Sequence, residues 1–350
     1  MQSLTLLSRE NKIYIVTAVE RWGTPTFSVS PRLFETKHIA LSCPFRTISN
    51  NEATDKQKRS RWMENRPKKC KYGDSPFIHK NLSVMNHLHL GFVGTGRIAR
   101  ALIAGLSQRE HTTFVGFDKE PIALASISAD YPVQPCLSIE EVALGAQVII
   151  LAVKPYQMEE VLGELKPSLT ANHLLISVAA GISSEFIRKN SRESTRVIRV
   201  MPNTPAFVGE GMTALCRGKM AADADVLLAS ELFSSIGQVT LLDELQMDAA
   251  TALSGSGPAY MFHILDSLAE GGVQCGLSRD EALILGAQTM IGAATMVLSG
   301  KKSPEELKHE VTTPGGTTEA GLKVMDEKNI RQILIETVAA AAARSRELMK

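Results

Sequence analysis

The sequence predicts an α/β protein, with a doubly wound parallel-sheet (Rossmann-type) domain followed by an all-α domain. Short apolar runs with strand character alternate with helical stretches between His87 and about Leu245. This alternation is typical of a parallel sheet covered by helices on both faces. Beyond Leu245 only helical periodicity remains. The chain has 350 residues, which is enough for about two domains of roughly 150 residues each.

Residues 1–84 differ in composition from the remainder. Residues 1–83 hold 15 basic against 7 acidic residues, whereas the rest of the chain holds 23 against 30. No period of 2 or 3.6 is sustained, and Asn50–Lys80 is polar and basic. Because such a composition cannot bury enough apolar surface to offset chain ordering, we expect residues 1–84 to be disordered or not native. An ordered pattern begins just after Met85, which favours that residue as the true start.

Composition also bears on partners and location. The formal net charge is +1, so the whole chain does not indicate a nucleic-acid or membrane partner. No unbroken apolar run reaches the roughly 18 residues of a membrane span. Five scattered cysteines without metal-ligand spacing indicate a reducing compartment and no metal site. We expect a cytoplasmic protein; an organellar presequence in 1–84 is the alternative, although Glu10, Glu20 and Glu35 count against it.

The first predicted strand, His87–Val93, leads into the motif Gly94–Ala99, which opens an amphipathic helix. A GxGxxA motif placed between a strand and a helix is typical of dinucleotide binding. Gly94 permits the tight turn, Gly96 lets a pyrophosphate approach the backbone, and the small Ala99 allows close helix–strand packing. The alternative is a structural turn with no ligand.

The second predicted strand, Thr113–Phe117, ends on Asp118 and Lys119. An acidic residue about 20 residues beyond the glycine motif typically binds the adenosine ribose and favours NAD. Lys119 would instead suit the 2′-phosphate of NADP, so the choice between NADH and NADPH stays open. Asp118 as a plain helix N-cap is a further alternative.

Three further strands are predicted at Val148–Val153, Leu174–Val178 and Arg196–Met201. In a doubly wound sheet, ligands bind outside the carboxyl ends of the strands. The residues at these ends therefore face one crevice, and their small size suits a flat cofactor. We expect cofactor contacts from Ala152, Val153, Lys154, Pro155, Val178, Ala179, Ala180 and Asn203.

The C-terminal part is predicted as helices at Pro258–Cys275, Arg279–Leu298, Pro304–Glu310 and Glu319–Met349. Much of their circumference is apolar and rich in alanine and glycine. Helices that are apolar nearly all round must be buried, and a few of them cannot cover one another completely. We therefore expect a homodimer formed by this region.

The loop Val311–Glu319 contains two glycines and several hydroxyl groups before a helix. Backbone N–H groups in such a loop can converge on an anion, here a substrate carboxylate. Gly316, Thr317 and Thr318 are the candidate ligands. A structural N-cap would explain either threonine alone.

Several segments resemble, in order and spacing, the motifs of pyrroline-5-carboxylate reductases. They are Gly91–Ala99, Ala152–Pro155, Met201–Pro205, Leu253–Tyr260 and Thr313–Thr318, and the likeness covers about residues 85–348. It implies a dinucleotide-binding domain at 85–245, a helical dimerisation and substrate domain at 246–350, and dimers that often assemble into decamers. It further implies cofactor contacts at Val93, Gly94, Thr95, Gly96, Arg97 and Ile98, and substrate contacts at Glu244, Thr317 and Thr318.

The implied reaction is the reduction of 1-pyrroline-5-carboxylate to L-proline with NADH or NADPH. An imine that arrives protonated needs no general acid, so Thr318 is the candidate catalytic residue through positioning, and Glu244 could hold the ring nitrogen. A β-hydroxyacid dehydrogenase is disfavoured because Pro258–Leu277 contains no lysine. A non-catalytic nicotinamide-binding regulator and a reductase of a related cyclic imino acid remain as alternatives.

Overall fold

The computed structural model describes residues 3–9, 12–21, 24–30 and 87–348. The chain divides into two compact units, Met1–Lys68 and Lys69–Lys350. The second unit carries every predicted site residue.

The first unit contains a three-stranded antiparallel sheet of β1 (Ser3–Arg9), β2 (Lys12–Arg21) and β3 (Thr24–Ser30), in that order. These strands lie within residues 1–84, which the sequence predicted to be disordered or not native. Their sequences are rich in valine, isoleucine, threonine and aromatic residues, which favour strands. The rest of 1–84, including Asn50–Lys80, lies outside the described residues.

The second unit is built on an eight-stranded sheet with the order β11-β10-β9-β8-β7-β4-β5-β6. Its strands are β4 (Leu88–Val93), β5 (Thr112–Phe117), β6 (Val133–Pro135), β7 (Val148–Leu151), β8 (Leu174–Ser177), β9 (Arg196–Met201), β10 (Gly211–Arg217) and β11 (Gly237–Leu241). Strands β4 to β9 are parallel, which confirms the predicted fold class. Strand β10 runs antiparallel to β9, and β11 runs parallel to β10. The sequence pattern did not predict β6, β10 or β11.

Within the described residues, six α-helices flank this sheet: α1 (Arg97–Leu106), α2 (Pro121–Asp130), α3 (Ile139–Gly145), α4 (Met158–Leu165), α5 (Ser184–Asn190) and α6 (Asp223–Ser234).

Neighbouring side chains of the central strands enter two different cores. Ile150 belongs to one apolar cluster with Leu102 and Phe233, whereas Ile149 belongs to another with Val142 and Leu162. Because successive side chains of a strand point to opposite faces, a fully apolar strand buries both.

The C-terminal part contains α7 (Met247–Ala250), a π-helical turn (Thr251–Gly255), α8 (Gly257–Gln274), α9 (Arg279–Leu298), α10 (Pro304–Glu310), α11 (Thr317–Glu327) and α12 (Ile330–Leu348). The single helix predicted for Glu319–Met349 is two helices. The break lies at Asn329, whose φ of 55° is left-handed. Asparagine adopts this conformation more readily than most residues, and no glycine or proline marked the break in the sequence.

The helices of this part leave most of their apolar surface exposed within one chain. In α9 only Ala282 is buried, while Ile284 is 69% exposed and Leu298 is 83% exposed. Among the described helices, α9 is long and apolar enough to cross a membrane by length and composition, which the inspection of unbroken apolar runs did not predict. A helix that packs against a second chain can have the same length and the same apolar composition.

Candidate active site

The glycine turn after β4 is held tightly by the two neighbouring strands. The N–H of Gly94 donates to the carbonyl of Phe117 at the end of β5, at 2.8 Å. Gly94 has a φ of 89°, and a Cβ added there would lie 2.7 Å from the carbonyl oxygen of Ala152. A side chain at this position would be strained and would clash with backbone. Gly94 is therefore required by the fold of the turn.

Gly96 has the opposite environment. It is the N-cap of α1, its φ is −68°, and no side chain caps the helix there. Beyond its chain neighbours and its own helix, no atom lies within 4 Å of the position that a Cβ would take. The first N–H groups of a helix lack partners within the helix, and the positive end of its dipole attracts anions. The open space over Gly96 therefore fits a pyrophosphate, as predicted from the motif.

Asp118 is tied to the glycine turn. Its Oδ2 accepts hydrogen bonds from the backbone N–H of Thr95 at 2.6 Å and from the Thr95 hydroxyl at 2.9 Å. Its Oδ1 accepts the N–H of Glu120 at 2.9 Å. Asp118 thus supports the turn between β4 and α1. Neither predicted role of this residue, the ribose contact or the helix N-cap, included its hydrogen bonds to Thr95. The helix that follows is capped at Glu120 rather than at Asp118.

Lys119 points to a different neighbour. Its Nζ lies 2.8 Å from Oε1 of Glu160 in α4, and both side chains are exposed. The hydrogen bond that Lys119 donates to this carboxylate, against a smaller opposing effect of burial, holds the pKa of Lys119 above its ordinary value. Lys119 is therefore charged at neutral pH and sits at the carboxyl end of β5.

The ends of the central strands form one continuous edge. The N–H of Ala152 donates to the carbonyl of Val93 at 2.8 Å, and the N–H of Val178 donates to that of Leu151 at 3.1 Å. The segments that follow β4, β5, β7 and β8 thus lie side by side, as the sequence predicted. Residues on this edge are the glycine turn with Asp118 and Lys119, Ala152, Val153, Lys154, Pro155, Val178, Ala179 and Ala180.

Two predicted cofactor residues have protein partners. The amide nitrogen of Asn203 donates to the carbonyl oxygen of Ser254 at 3.1 Å, and its amide oxygen accepts the N–H of Met212 at 2.8 Å. Asn203 therefore ties the end of β9 to the π-helical turn, so its predicted cofactor contact is not supported by this geometry. The guanidinium of Arg97 lies over the ring of Phe207 at 5.6 Å, a cation–π contact.

In the loop before α11, two backbone N–H groups already donate hydrogen bonds to nearby groups of the protein. The N–H of Gly315 donates to the Glu319 carboxylate at 2.7 Å, and the N–H of Gly316 donates to the Thr313 carbonyl at 2.9 Å. Without a ligand, the Gly316 N–H is therefore bonded within the loop, and its contact with an anion stays a prediction. Thr317 and Thr318 begin α11, where helix N–H groups are without intrahelical partners. The N–H groups of Thr317 and Thr318 are therefore the ones in this loop that can still bind an anion.

Glu244 is held by several protein groups. Its Oε1 accepts from Nη1 of Arg199 at 2.7 Å, and its Oε2 accepts from the Ser184 hydroxyl at 2.5 Å and from the Cys216 thiol at 3.4 Å. Burial alone would raise the pKa of the Glu244 carboxyl, but the hydrogen bonds from Ser184 and Arg199 outweigh it and the pKa is lowered. Within one chain an ion pair engages this carboxylate, and the contact with the substrate nitrogen stays a prediction.

The partners of Glu244 were not predicted from the sequence. Arg199 is only 2% exposed, although arginine is almost never fully buried unless it is paired. The sequence feature that could have indicated this pairing is an arginine, Arg199, inside the apolar strand Arg196–Met201. Burial, followed by the charge and hydrogen bond of Glu244, raises the pKa of the Cys216 thiol to about 12. Cys216 is therefore a neutral donor in this cluster.

Comparison with known proteins identifies the family. Residues 244–348 match the family described as pyrroline-5-carboxylate reductase dimerisation, and residues 89–181 match that described as NADP oxidoreductase, coenzyme F420-dependent. A pyrroline-5-carboxylate reductase of Pisum sativum is 41% identical over 262 residues, covering 74% of this chain and 95% of its own length. The chain belongs to the pyrroline-5-carboxylate reductase family. The family resemblance read from the motifs is confirmed, as is the oxidoreductase class.

Other members of the family agree with this assignment. A pyrroline-5-carboxylate reductase of Methanosarcina acetivorans is 37% identical over 269 residues, covering 76% of this chain and all of its own. The solved pyrroline-5-carboxylate reductase of Coxiella burnetii matches with a TM-score of 0.70 at 35% identity, covering 76% of this chain and 100% of its own. The Plasmodium falciparum pyrroline carboxylate reductase, solved with NADP bound, matches with a TM-score of 0.68 at 31% identity, with the same coverage. The match to the dimerisation family supports a homodimer through the exposed helices.

Proposed function

We propose that this chain reduces 1-pyrroline-5-carboxylate to L-proline, the last step of proline biosynthesis, with a nicotinamide cofactor. The observation that carries this function is the convergence of the open turn at Gly96 with Ala152–Pro155 and Val178–Ala180 on one sheet edge. Family membership specifies the reaction. The open space over Gly96 and the strand ends beside it support the binding of a dinucleotide at this edge.

The residues of the chain would act by binding and orientation. When bound, the cofactor supplies the hydride, and a protonated imine accepts it without a proton donor from the protein. The N–H groups at Thr317 and Thr318, with the Thr318 hydroxyl, would hold the substrate carboxylate. Fixing the substrate in this way contributes to catalysis because a correct orientation alone can lower a barrier by up to about 7–11 kcal/mol.

For the cofactor we propose a preference for NADPH. Asp118 directs its carboxylate to Thr95 and Glu120, so it is less able to accept a ribose hydroxyl and reject a phosphate. Lys119 lies next to it, and its ammonium, which pairs with the exposed Glu160 in the absence of cofactor, would turn to the 2′-phosphate. The NADP-bound relative from Plasmodium falciparum is consistent with this preference. Lys119→Ala should lower kcat/KM with NADPH about 10-fold, the loss of one charged hydrogen bond, and leave kcat/KM with NADH unchanged.

Assembly and location are proposed from the family and the composition. We propose that the homodimers assemble further into decamers, which light scattering coupled to size-exclusion chromatography would test. A species no larger than a dimer at working concentration would contradict this. The cytoplasmic location remains a prediction.

The test of the function is the oxidation of NADPH and NADH in the presence of 1-pyrroline-5-carboxylate, followed by nicotinamide absorbance. Rapid, imine-dependent oxidation with proline as the product is expected. A folded protein that binds a cofactor but turns over no cyclic imino acid would instead be a regulator. Turnover confined to a different cyclic imino acid would reassign the substrate.

A further inference from the structure

A row of buried polar side chains crosses the sheet beneath the loop that follows β8. Ser177 in β8, Arg199 in β9 and Cys216 in β10 are neighbours in register, and all three are buried. They therefore share one face near the carboxyl ends of β8 and β9, directly below Val178–Ala180. The remaining buried side chains on this face are mainly apolar.

Glu244 contacts two members of this row, Arg199 and Cys216. It lies between β11 and α7 and is the first residue of the region matched to the dimerisation family. Its carboxylate bonds to Arg199 and also to the hydroxyl and backbone N–H of Ser184, at 2.5 and 3.4 Å. Ser184 begins α5, at the far end of the loop from Val178. One carboxylate thus joins the sheet, the loop after β8 and the start of the helical region.

The same loop is contacted by the end of the last helix. A Cβ added to Gly181 would lie 3.0 Å from the carbonyl oxygen of Leu348 in α12. Nearby in sequence, the Ser345 hydroxyl donates to the Asp248 carboxylate at 2.6 Å, and both residues are buried. The helical region therefore touches the loop after β8 from both its own beginning and its own end.

We propose that Arg199 and Glu244 are positioning residues, which hold the loop at 178–184 in register with the helical region and thereby place the nicotinamide for hydride transfer. Arg199 is 2% exposed and Glu244 is 32% exposed, so the ion pair is only partly buried. Such a pair adds little net stability over an apolar pair of similar volume, because desolvation of the buried charge offsets the attraction. The ion pair does fix the direction of both side chains, since leaving the buried Arg199 charge unpaired would be costly. This role rests on the proposed function, in which Val178–Ala180 contact the cofactor.

The test compares this ion pair with a second pair on the same strand. Arg196 in β9 bonds to Asp225 in α6 at 2.6 Å, at the opposite end of β9 from Met201. The two variants are Arg199→Met with Glu244→Leu, and the control Arg196→Met with Asp225→Leu, each made in the full chain. Because the first pair could fail to fold when replaced, Glu244→Gln and its matched control Asp225→Asn are made as well.

Three quantities are measured: the dissociation constant of NADPH, the kcat and KM for the imine, and the midpoint of urea unfolding. For the variants at Arg199 and Glu244 we expect kcat to fall about 10- to 100-fold, as for a cofactor displaced by a fraction of an ångström, with weaker NADPH binding. The variants at Arg196 and Asp225 should keep both constants even where their unfolding midpoint falls. Wild-type kinetics and NADPH affinity in Glu244→Gln, or equal losses in both sets, would overturn the positioning role.

Failure of the proposed reaction and failure of the positioning role give different results. NADPH binding is measured without the imine, so a wild-type protein that does not reduce 1-pyrroline-5-carboxylate contradicts the proposed function alone. In that case an NADPH dissociation constant that rises in Glu244→Gln but not in Asp225→Asn would still support the positioning role. An unchanged constant in Glu244→Gln would remove it.

Discussion

Replacing Gly94 and Gly96 separately by alanine should separate the fold of the glycine turn from its binding of a cofactor. Both changes add one methyl group within the same turn, two residues apart. Gly94 has a left-handed φ of 89° and a crowded Cβ position, whereas Gly96 has a φ of −68° and an empty one. The two variants are therefore matched in chemistry and opposite in environment.

The magnitudes follow from these environments. In Gly94→Ala, the left-handed conformation costs about 1–2 kcal/mol, and a Cβ at 2.7 Å from the Ala152 carbonyl oxygen adds an overpacking cost of about 1–3 kcal/mol. The reduced entropy of the unfolded chain returns only about 0.4–1 kcal/mol. The free energy of unfolding should therefore fall by about 1–4.5 kcal/mol in total.

Gly96→Ala should leave the fold almost unchanged. Alanine is a poorer N-cap than glycine, which costs about 0.5–1 kcal/mol. It also reduces the conformational entropy of the unfolded chain, which returns stability of similar size. The new methyl group would instead occupy the space over the helix N-terminus. The dissociation constant of NADPH should rise at least about 10-fold, which corresponds to about 1.4 kcal/mol.

Urea unfolding of the cofactor-free protein and calorimetric titration with NADPH measure the two effects independently. Wild-type affinity in Gly96→Ala would show that the pyrophosphate does not lie over that residue. Wild-type stability in Gly94→Ala would show that the turn can relax around a side chain, and the strain assigned to it would be refuted.

Three further changes have defined outcomes. Thr318→Ala should lower kcat/KM for the imine about 10- to 100-fold, the loss of one hydrogen bond to a charged group; unchanged kinetics would exclude this role. Because the pKa of Cys216 is about 12, about one thiol in 10,000 is ionised at pH 8, and alkylation mapped by mass spectrometry should leave this residue unmodified until the protein unfolds. The lowered pKa of Glu244 means that its ionised form stabilises the fold above the ordinary pKa of about 4.3, and that this stabilisation is lost as the pH falls through the lower, folded-state value. The difference in unfolding midpoint between wild type and Glu244→Gln should therefore shrink as the pH is lowered from 6 to 3, and a constant difference would contradict it.

The sequence predicted the elements whose signal is local. The strand before Gly94, the helix after Gly96 and the strand ends at Ala152 and Val178 were found because a glycine motif and apolar runs act over a few neighbouring residues. Parallel topology then requires the carboxyl ends of these strands to share one edge, and they do. Elements with weak local patterns were missed, such as the three-residue strand β6 and the break at Asn329.

The roles of particular polar side chains depended on contacts distant in the chain. Asp118 binds Thr95, 23 residues earlier, and Asn203 binds Ser254, 51 residues later. Both residues stand where a cofactor contact was predicted, and the same carboxylate or amide can serve either purpose. Only the position of the partner decides between them, and a sequence pattern does not contain that position.

The sequence by itself determined the family, the sheet with its glycine turn, and the need of the C-terminal helices for a second chain, because these follow from short motifs and from the amount of apolar surface. The tertiary structure alone decided that Glu244 pairs with Arg199, 45 residues away. A charge in a folded protein goes to the partner that offsets its desolvation. That partner is fixed by the packing of β9, β10 and α5 together, which no single segment of the chain specifies.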